Sequence, residues 1–264
     1  MMILDRFRMK DKIVVVTGAS KGIGRGLASA FAEVGAHVVC AARTTEAIEA
    51  AAQQIADDFG VNTLAVTCDV TQRDDLEALM AKSLERFGRI DVLVNNAGGG
   101  PHKPALRTSE RTFEHALRFN VTSAFLLSRL VAPHMLESGG GNILNISSSI
   151  GHVVGRGFVA YGTAKAALIH MTRLLASEFA PKIRVNAMAL GAIETEALSG
   201  FLRNEAIRKG LEDKTPMRSV GTVEDAAAGA LYLCSPAGDW MTGKILEIDG
   251  GITASNSPFE LPDL

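Results

Sequence analysis

Taken as a succession of hydrophobic and polar positions, the chain repeats one unit. Ile13-Val-Val-Val16 is a short β-branched run closed by Thr17-Gly18, and beyond it residues 22–33 are rich in helix formers. His37 to Cys40 followed by the alanine-rich stretch from Thr45 to Phe59 repeats the pair, as does Thr63 to Thr67 followed by Asp74 to Phe87. Asp91 to Val94 predicts a fourth strand, then a turn, Asn95-Asn-Ala-Gly98-Gly-Gly100-Pro101, and a long helical region from Ser109 to Leu136. Asn142 to Ile146 and Ile183 to Met188 predict two more strands around a helix from Tyr161 to Phe179. A polar helical insert from Thr195 to Lys214, a helix from Val223 to Cys234 and a strand from Lys244 to Ile248 complete the pattern. Strands alternating with helices at this pitch predict an α/β fold with a doubly wound parallel sheet of about seven strands and helices on both faces.

No linker, repeat or low-complexity block divides the chain, so residues 1–264 are expected to form a single domain. Residues 1–11 form a lead-in and residues 252–264 a tail, where Pro258 and Pro262 oppose a long helix.

Composition narrows the function without naming it. With 264 residues, 47% hydrophobic and 21% charged, the chain has the length and apolar content for a large core. A formal net charge of −2 offers no basic surplus for phosphate backbones, so a nucleic-acid partner is not expected. Cys40, Cys68 and Cys234 are odd in number and widely separated, which fits a reducing compartment better than a disulfide framework. Charges at Asp5, Arg6, Arg8 and Lys10 break the first residues before an apolar signal segment develops, and no later run reaches membrane-spanning length. A cytoplasmic location with no membrane partner is the expectation. The histidines at 102, 115, 134, 152 and 170 show no metal-ligand spacing, so no metal is expected in the chemistry.

The candidate chemistry starts at the first turn. Gly18, Gly22 and Gly24, with Ser20, Lys21 and Ile23 between them, follow the first strand and open the first helix. The spacing is Gly-x-x-x-Gly-x-Gly, and glycines there let the backbone approach a pyrophosphate held by amides at the helix N-terminus. Selectivity between nicotinamide cofactors is expected at the end of the second strand, where Cys40-Ala-Ala-Arg43 carries no acid to repel a 2′-phosphate. Arg43 can offer a bidentate fork, with Lys21 reaching from the other side, so NADP(H) is expected over NAD(H). The plainer alternative is that both are solvated surface residues.

Further along, Ser148 ends an apolar strand run, thirteen positions before Tyr161, and Lys165 follows four residues later. On a helix that spacing places Tyr161 and Lys165 on one face. Taken alone, Tyr-x-x-x-Lys is a weak signal.

Together, Thr17-Gly18-x-x-x-Gly22-x-Gly24, Cys68-Asp69-Val70, Asn95-Asn96-Ala97-Gly98, Asn120, Ser148 and Tyr161-x-x-x-Lys165 resemble the short-chain dehydrogenase/reductase family in order and spacing over nearly the whole chain. The resemblance implies a single-domain Rossmann fold, a homotetramer, and hydride transfer between a nicotinamide and a carbonyl or alcohol substrate. It implies that Asp69 and Val70 contact the adenine, Asn96 and Gly98 the cofactor, and Ile193 and Thr195 the carboxamide, with Asn95 structural. It further implies that Ser148 positions the substrate oxygen, Tyr161 exchanges the proton, Lys165 binds ribose and lowers the phenol, and Asn120 extends a water-mediated relay to Lys165; a local helix irregularity is the alternative for Asn120. Leu190 stands where the family has proline, and the expectation is a looser turn beside the nicotinamide. The subgroup likeness, through Leu4-Asp-Arg-Phe-Arg8, Leu130 to Pro133, Leu233 to Pro236 and Trp240 to Gly251, is to bacterial 7α-hydroxysteroid dehydrogenases. Similar stretches occur in 3-oxoacyl-carrier-protein reductases.

Substrate specificity is expected in residues 99–106, 151–159 and 195–214. The last mixes Leu198, Phe201, Leu202 and Ile207 with Arg203, Arg208 and Lys209, the pattern of an amphipathic lid over an apolar, cyclic or lipid-like substrate, though also of an ordinary surface helix. A 3-oxoacyl thioester reductase and a non-catalytic NADP(H) sensor are the competing functions.

Overall fold

The computed structural model describes residues 2–258 and 261. Residue 1 of the lead-in and residues 259, 260 and 262–264 of the tail, Pro262 among them, lie outside the described residues.

The inner β-branched runs become strands buried on both faces, as a parallel sheet requires, while the two edge strands are only partly buried. The strands are β1 (Ile13–Thr17), β2 (His37–Ala42), β3 (Thr63–Thr67), β4 (Val92–Asn95), β5 (Gly141–Ser148), β6 (Ile183–Leu190) and β7 (Ile245–Ile248). All neighbours pair parallel in the order β3-β2-β1-β4-β5-β6-β7. The chain reverses its direction of progress between β1 and β4, so a crevice opens beyond their carboxyl ends, where open α/β sheets bind ligands.

The helices are α1 (Gly22–Glu33), α2 (Thr45–Phe59), α3 (Arg73–Phe87), α4 (Glu110–Leu117), α5 (Ser123–Glu137), α6 (Val159–Phe179), α7 (Glu196–Leu202), α8 (Glu205–Asp213) and α9 (Val223–Cys234). Alternation along β1 splits the core in two. Val14 and Val16 pack with Leu27 and Phe31 of α1, Ile48 and Ile55 of α2 and Leu233 of α9. Ile13 and Val15 pack on the other face with Leu76 and Leu79 of α3, Leu127 and Met135 of α5 and Leu175 of α6. Among the described residues, no helix is long and apolar enough to cross a membrane.

The long helical region predicted from Ser109 to Leu136 is formed by α4 and α5 joined through a π-helical turn, Arg118–Thr122, which places a local helix irregularity at Asn120. The Asn120 side chain donates to the Ala116 carbonyl at 2.9 Å, inserting an amide into the ladder where the main chain would otherwise close an α-turn. Leu190 is buried and continues β6, in register with Ser148 on one side and Ile248 on the other, and its carbonyl accepts from Ser148 Oγ at 3.4 Å.

Candidate active site

A cleft of about 420 Å³ lies at the β1/β4 crevice, lined by Gly18, Ser20, Lys21, Gly22, Ile23, Gly24, Arg43, Val70, Asn96, Gly98, Lys165 and Thr195. Its floor is a backbone cradle that tolerates no side chain. A Cβ on Gly24 would fall 2.3 Å from the Gly18 carbonyl oxygen and 2.4 Å from Asn96 Nδ2. Asn96 Nδ2 donates to the Thr17 carbonyl at 2.8 Å, and Thr17 Oγ1 accepts from the backbone amides of Asn96 and Ala97, each at 3.0 Å. Thr17 therefore clamps the end of β1 to the turn after β4. Lys21 is the N-cap of α1 and supplies no side-chain cap, so the first-turn amides face the cleft uncommitted, as an anion needs. Arg43, exposed directly after β2, stands on the same wall, and among the described residues no hydrogen bond or ion pair holds its guanidinium. A cleft with this cradle, helix N-terminus and basic wall fits a phosphorylated dinucleotide.

Asp69 behaves differently from its neighbours. Cys68 and Val70 line the cleft but Asp69 does not, since its Oδ1 accepts from Thr71 N at 2.9 Å and Thr71 Oγ1 at 2.8 Å. Burial pushes its carboxyl up, but the two Thr71 hydrogen bonds and the charges of Arg43 and His115 outweigh this and hold it below its usual range. Ile193 is also outside the cleft: it is buried, bridges to Gly221 and lines a separate cavity with Asp225 and Asp249. Thr195 does reach the cleft, and its hydroxyl also caps α7 by accepting from Leu198 N at 3.4 Å.

At the inner end of the cleft, the first turns of α6 present Tyr161 and Lys165. Lys165 is buried, and its Nζ donates to the Ile146 carbonyl at 2.8 Å. Burial pushes its amine down to about 7. Asn120 Oδ1 accepts from Gly99 N at 2.9 Å and its Nδ2 donates to the Gly99 carbonyl at 2.8 Å, holding the turn after β4 from both sides. Gly98 fits between the two groups, for a Cβ there would lie 2.6 Å from Asn120 Oδ1 and 3.0 Å from Lys165 Nζ. Burial pushes the Tyr161 phenol above its ordinary value, and a hydrogen bond with Ser148 only partly offsets this. From the chain alone, desolvation shifts the two groups in opposite directions, the phenol up and the amine down.

Tyr161 and Ser148 face away from the nucleotide cleft into a second pocket of about 240 Å³. Its walls come from the three segments marked as specificity regions: His102; Val153 and Phe158; Leu198, Ile207 and Leu211. Residues 195–214 turn Leu198, Ile207 and Leu211 to the pocket and leave Phe201 exposed, with Arg208 paired to Glu194 at 2.7 Å. The remaining wall was missed. Ile252, Ser255, Asn256, Ser257 and Pro258 of the tail close the pocket, with Asn256 Nδ2 donating to Thr215 Oγ1 at 2.9 Å. The sequence signal for this was Pro258, since a proline-restrained extended segment can lie across a mouth, but nothing in the pattern said which mouth.

Four similarities to known proteins bear on this site. A family model described as enoyl-(acyl carrier protein) reductase matches residues 18–253. An uncharacterized oxidoreductase of Mycobacterium tuberculosis is 45% identical over 264 residues, 100% of each chain. The 7α-hydroxysteroid dehydrogenase of Escherichia coli K12 is 40% identical over 248 residues, 94% of this chain and 96% of its own. Among solved structures, 7α-hydroxysteroid dehydrogenase complexed with NADH and 7-oxo glycochenodeoxycholic acid superposes with a TM-score of 0.90 at 40% identity, covering 95% of this chain and 98% of that one.

Proposed function

This chain belongs to the short-chain dehydrogenase/reductase family of oxidoreductases, and from that premise we propose that it interconverts an apolar ketone and its secondary alcohol with NADP(H). One observation carries the reading. Lys165 opens on the nucleotide cleft while Tyr161 and Ser148, from the same unit of β5 and α6, open on a pocket walled by Leu198, Ile207, Leu211 and Ile252.

When bound, a nicotinamide dinucleotide supplies or accepts the hydride. The chain's own groups do the rest. Ser148 Oγ donates to the substrate oxygen and holds it against the phenol. Tyr161, whose phenol burial pushes above its ordinary value, gives its proton to that oxygen in reduction, and its phenolate takes one back in oxidation. Lys165 offers a buried amine to the ribose, and Asn120 sets the position of Gly98 and Gly99 beside it. Arg43 and Lys21 favour a 2′-phosphate; the similar dehydrogenase carries NADH, so the preference rests on these two side chains and not on kinship.

The test is NADPH and NADH oxidation against steroid ketones, quinones and acetoacetyl thioesters. Turnover of cyclic ketones with NADPH is the expected result. Preference for thioesters would instead make the protein a 3-oxoacyl reductase, which the apolar wall disfavours: among the described residues, no lysine or arginine side chain lines the substrate pocket. Nucleotide binding without turnover of any of them would make it a sensor. A reducing, cytoplasmic setting is supported by three buried free thiols, each pushed up to about 12 by burial. The homotetramer rests on family membership, and light scattering tests it.

A further inference from the structure

His152, Glu247 and Asp249 come from segments nearly a hundred residues apart, yet one ligand atom of each falls within 4.8 Å of the others. His152 Nε2 is 3.9 Å from Glu247 Oε2 and 3.9 Å from Asp249 Oδ2. These separations are too long for hydrogen bonds, which need about 2.7–3.2 Å. The three donors therefore surround a gap.

A second observation shows that the gap is aimed at. The Asp249 side chain is only 6% exposed, and its buried Oδ2 has no hydrogen-bond partner among the described residues. Its other oxygen, Oδ1, accepts from Gly251 N at 2.9 Å, which fixes the carboxylate so that Oδ2 points to His152. An orphaned carboxylate oxygen in a buried position is costly unless a cation or donor meets it.

We propose that His152, Glu247 and Asp249 form a binding site for a divalent transition-metal cation, of which Zn²⁺ is the representative. Two carboxylates and a neutral imidazole bring two negative charges, matched by one divalent ion. A mixed nitrogen and oxygen set suits Zn²⁺ over Mg²⁺ or Ca²⁺, which take oxygen shells. Bonds of about 2.0–2.2 Å place tetrahedral ligand atoms roughly 3.4 Å apart, so closure by about half an ångström at each His152 contact, with a larger approach of the two carboxylates, whose ligand atoms lie within 4.8 Å, completes the set with water in the fourth position. The ion is structural. His152 follows Ser148 by four residues and sits in the loop whose Ile150 and Val153 wall the substrate pocket. Cross-linking that loop to the end of β7 stiffens the part of the pocket that carries the substrate.

The experiment uses the full-length protein stripped with a chelator and titrated with ZnCl2 in a calorimeter, without nucleotide or substrate. One ion per chain is expected, with affinity at least ten-fold weaker in His152→Ala and in Asp249→Asn, and unchanged in His170→Ala. Zn²⁺ should raise the melting temperature of the wild type and leave that of His152→Ala unmoved. His152→Ala changes a loop side chain, so it reports even if Asp249→Asn folds poorly. Absence of one-to-one binding, or equal affinity in His152→Ala, overturns the site and leaves a simple histidine–carboxylate cluster. Because the readout is metal binding, failure here leaves the proposed carbonyl chemistry untouched.

Discussion

Lys165 Nζ lies 5.6 Å from the centre of the Tyr161 ring and spends a hydrogen bond on the Ile146 carbonyl. The two groups share one helix face, yet the amine turns to the nucleotide side and the phenol to the substrate side. The spacing makes this possible and burial gives it chemical consequence, because each group is driven toward its neutral form.

Replacing Tyr161 with phenylalanine removes the proton donor and keeps the ring. Carbonyl reduction is expected to fall by roughly 10²–10⁴-fold, while NADPH affinity, followed by nucleotide fluorescence, stays within about two-fold. Near wild-type turnover would remove Tyr161 from the mechanism.

Lys165 gives stability a pH dependence whose sign is fixed. Its folded value of about 7 lies below the ordinary 10.5, so between those limits the unfolded chain binds one more proton than the folded one. Stability should rise with pH across that window, by at most about 1.4 kcal/mol per pH unit from this group. Urea titrations of the nucleotide-free protein between pH 7 and 10 should show this slope reduced in Lys165→Met.

Arg43→Ala removes the guanidinium from the cleft wall. NADPH binding is expected to weaken about 10- to 100-fold, as loss of a charge-assisted contact implies, with NADH binding little changed. Equal losses for both nucleotides would mean that Arg43 does not read the 2′-phosphate.

Gly24→Ala puts a methyl about 2.3 Å from the Gly18 carbonyl oxygen, well inside van der Waals contact. The expected outcome is a folded chain by circular dichroism that has lost most of its dinucleotide affinity. Unchanged affinity would show that the cradle can yield.

Truncation after Gly251 removes the tail segment that closes the substrate pocket. KM for an apolar ketone should rise about ten-fold or more, as expected when apolar wall contacts are lost, and nucleotide affinity should hold. An unaltered KM would show that the tail does not touch substrate.

Periodicity and turn chemistry were enough to read seven strands and most of the helices, because a parallel sheet buried on both faces leaves an apolar run for every strand. The glycine turn and the Tyr161–Lys165 pair were legible for a similar reason: both depend on backbone geometry within one local unit. Other features depend on contacts between distant segments, and no local rule encodes those. A helix irregularity at Asn120 was one of its two sequence readings, but only packing shows that the π-helical turn brings Asn120 to Gly99. The tail read as a terminus, but the fold lays Asn256 on Thr215. His152 shows no ligand spacing with the other histidines because its neighbours are carboxylates on and just after β7. Sequence determined which backbone the chain builds and which residues stand at the crevice between β1 and β4. Tertiary structure decided which side chains wall the second pocket, and which groups are buried deeply enough to shift their protonation.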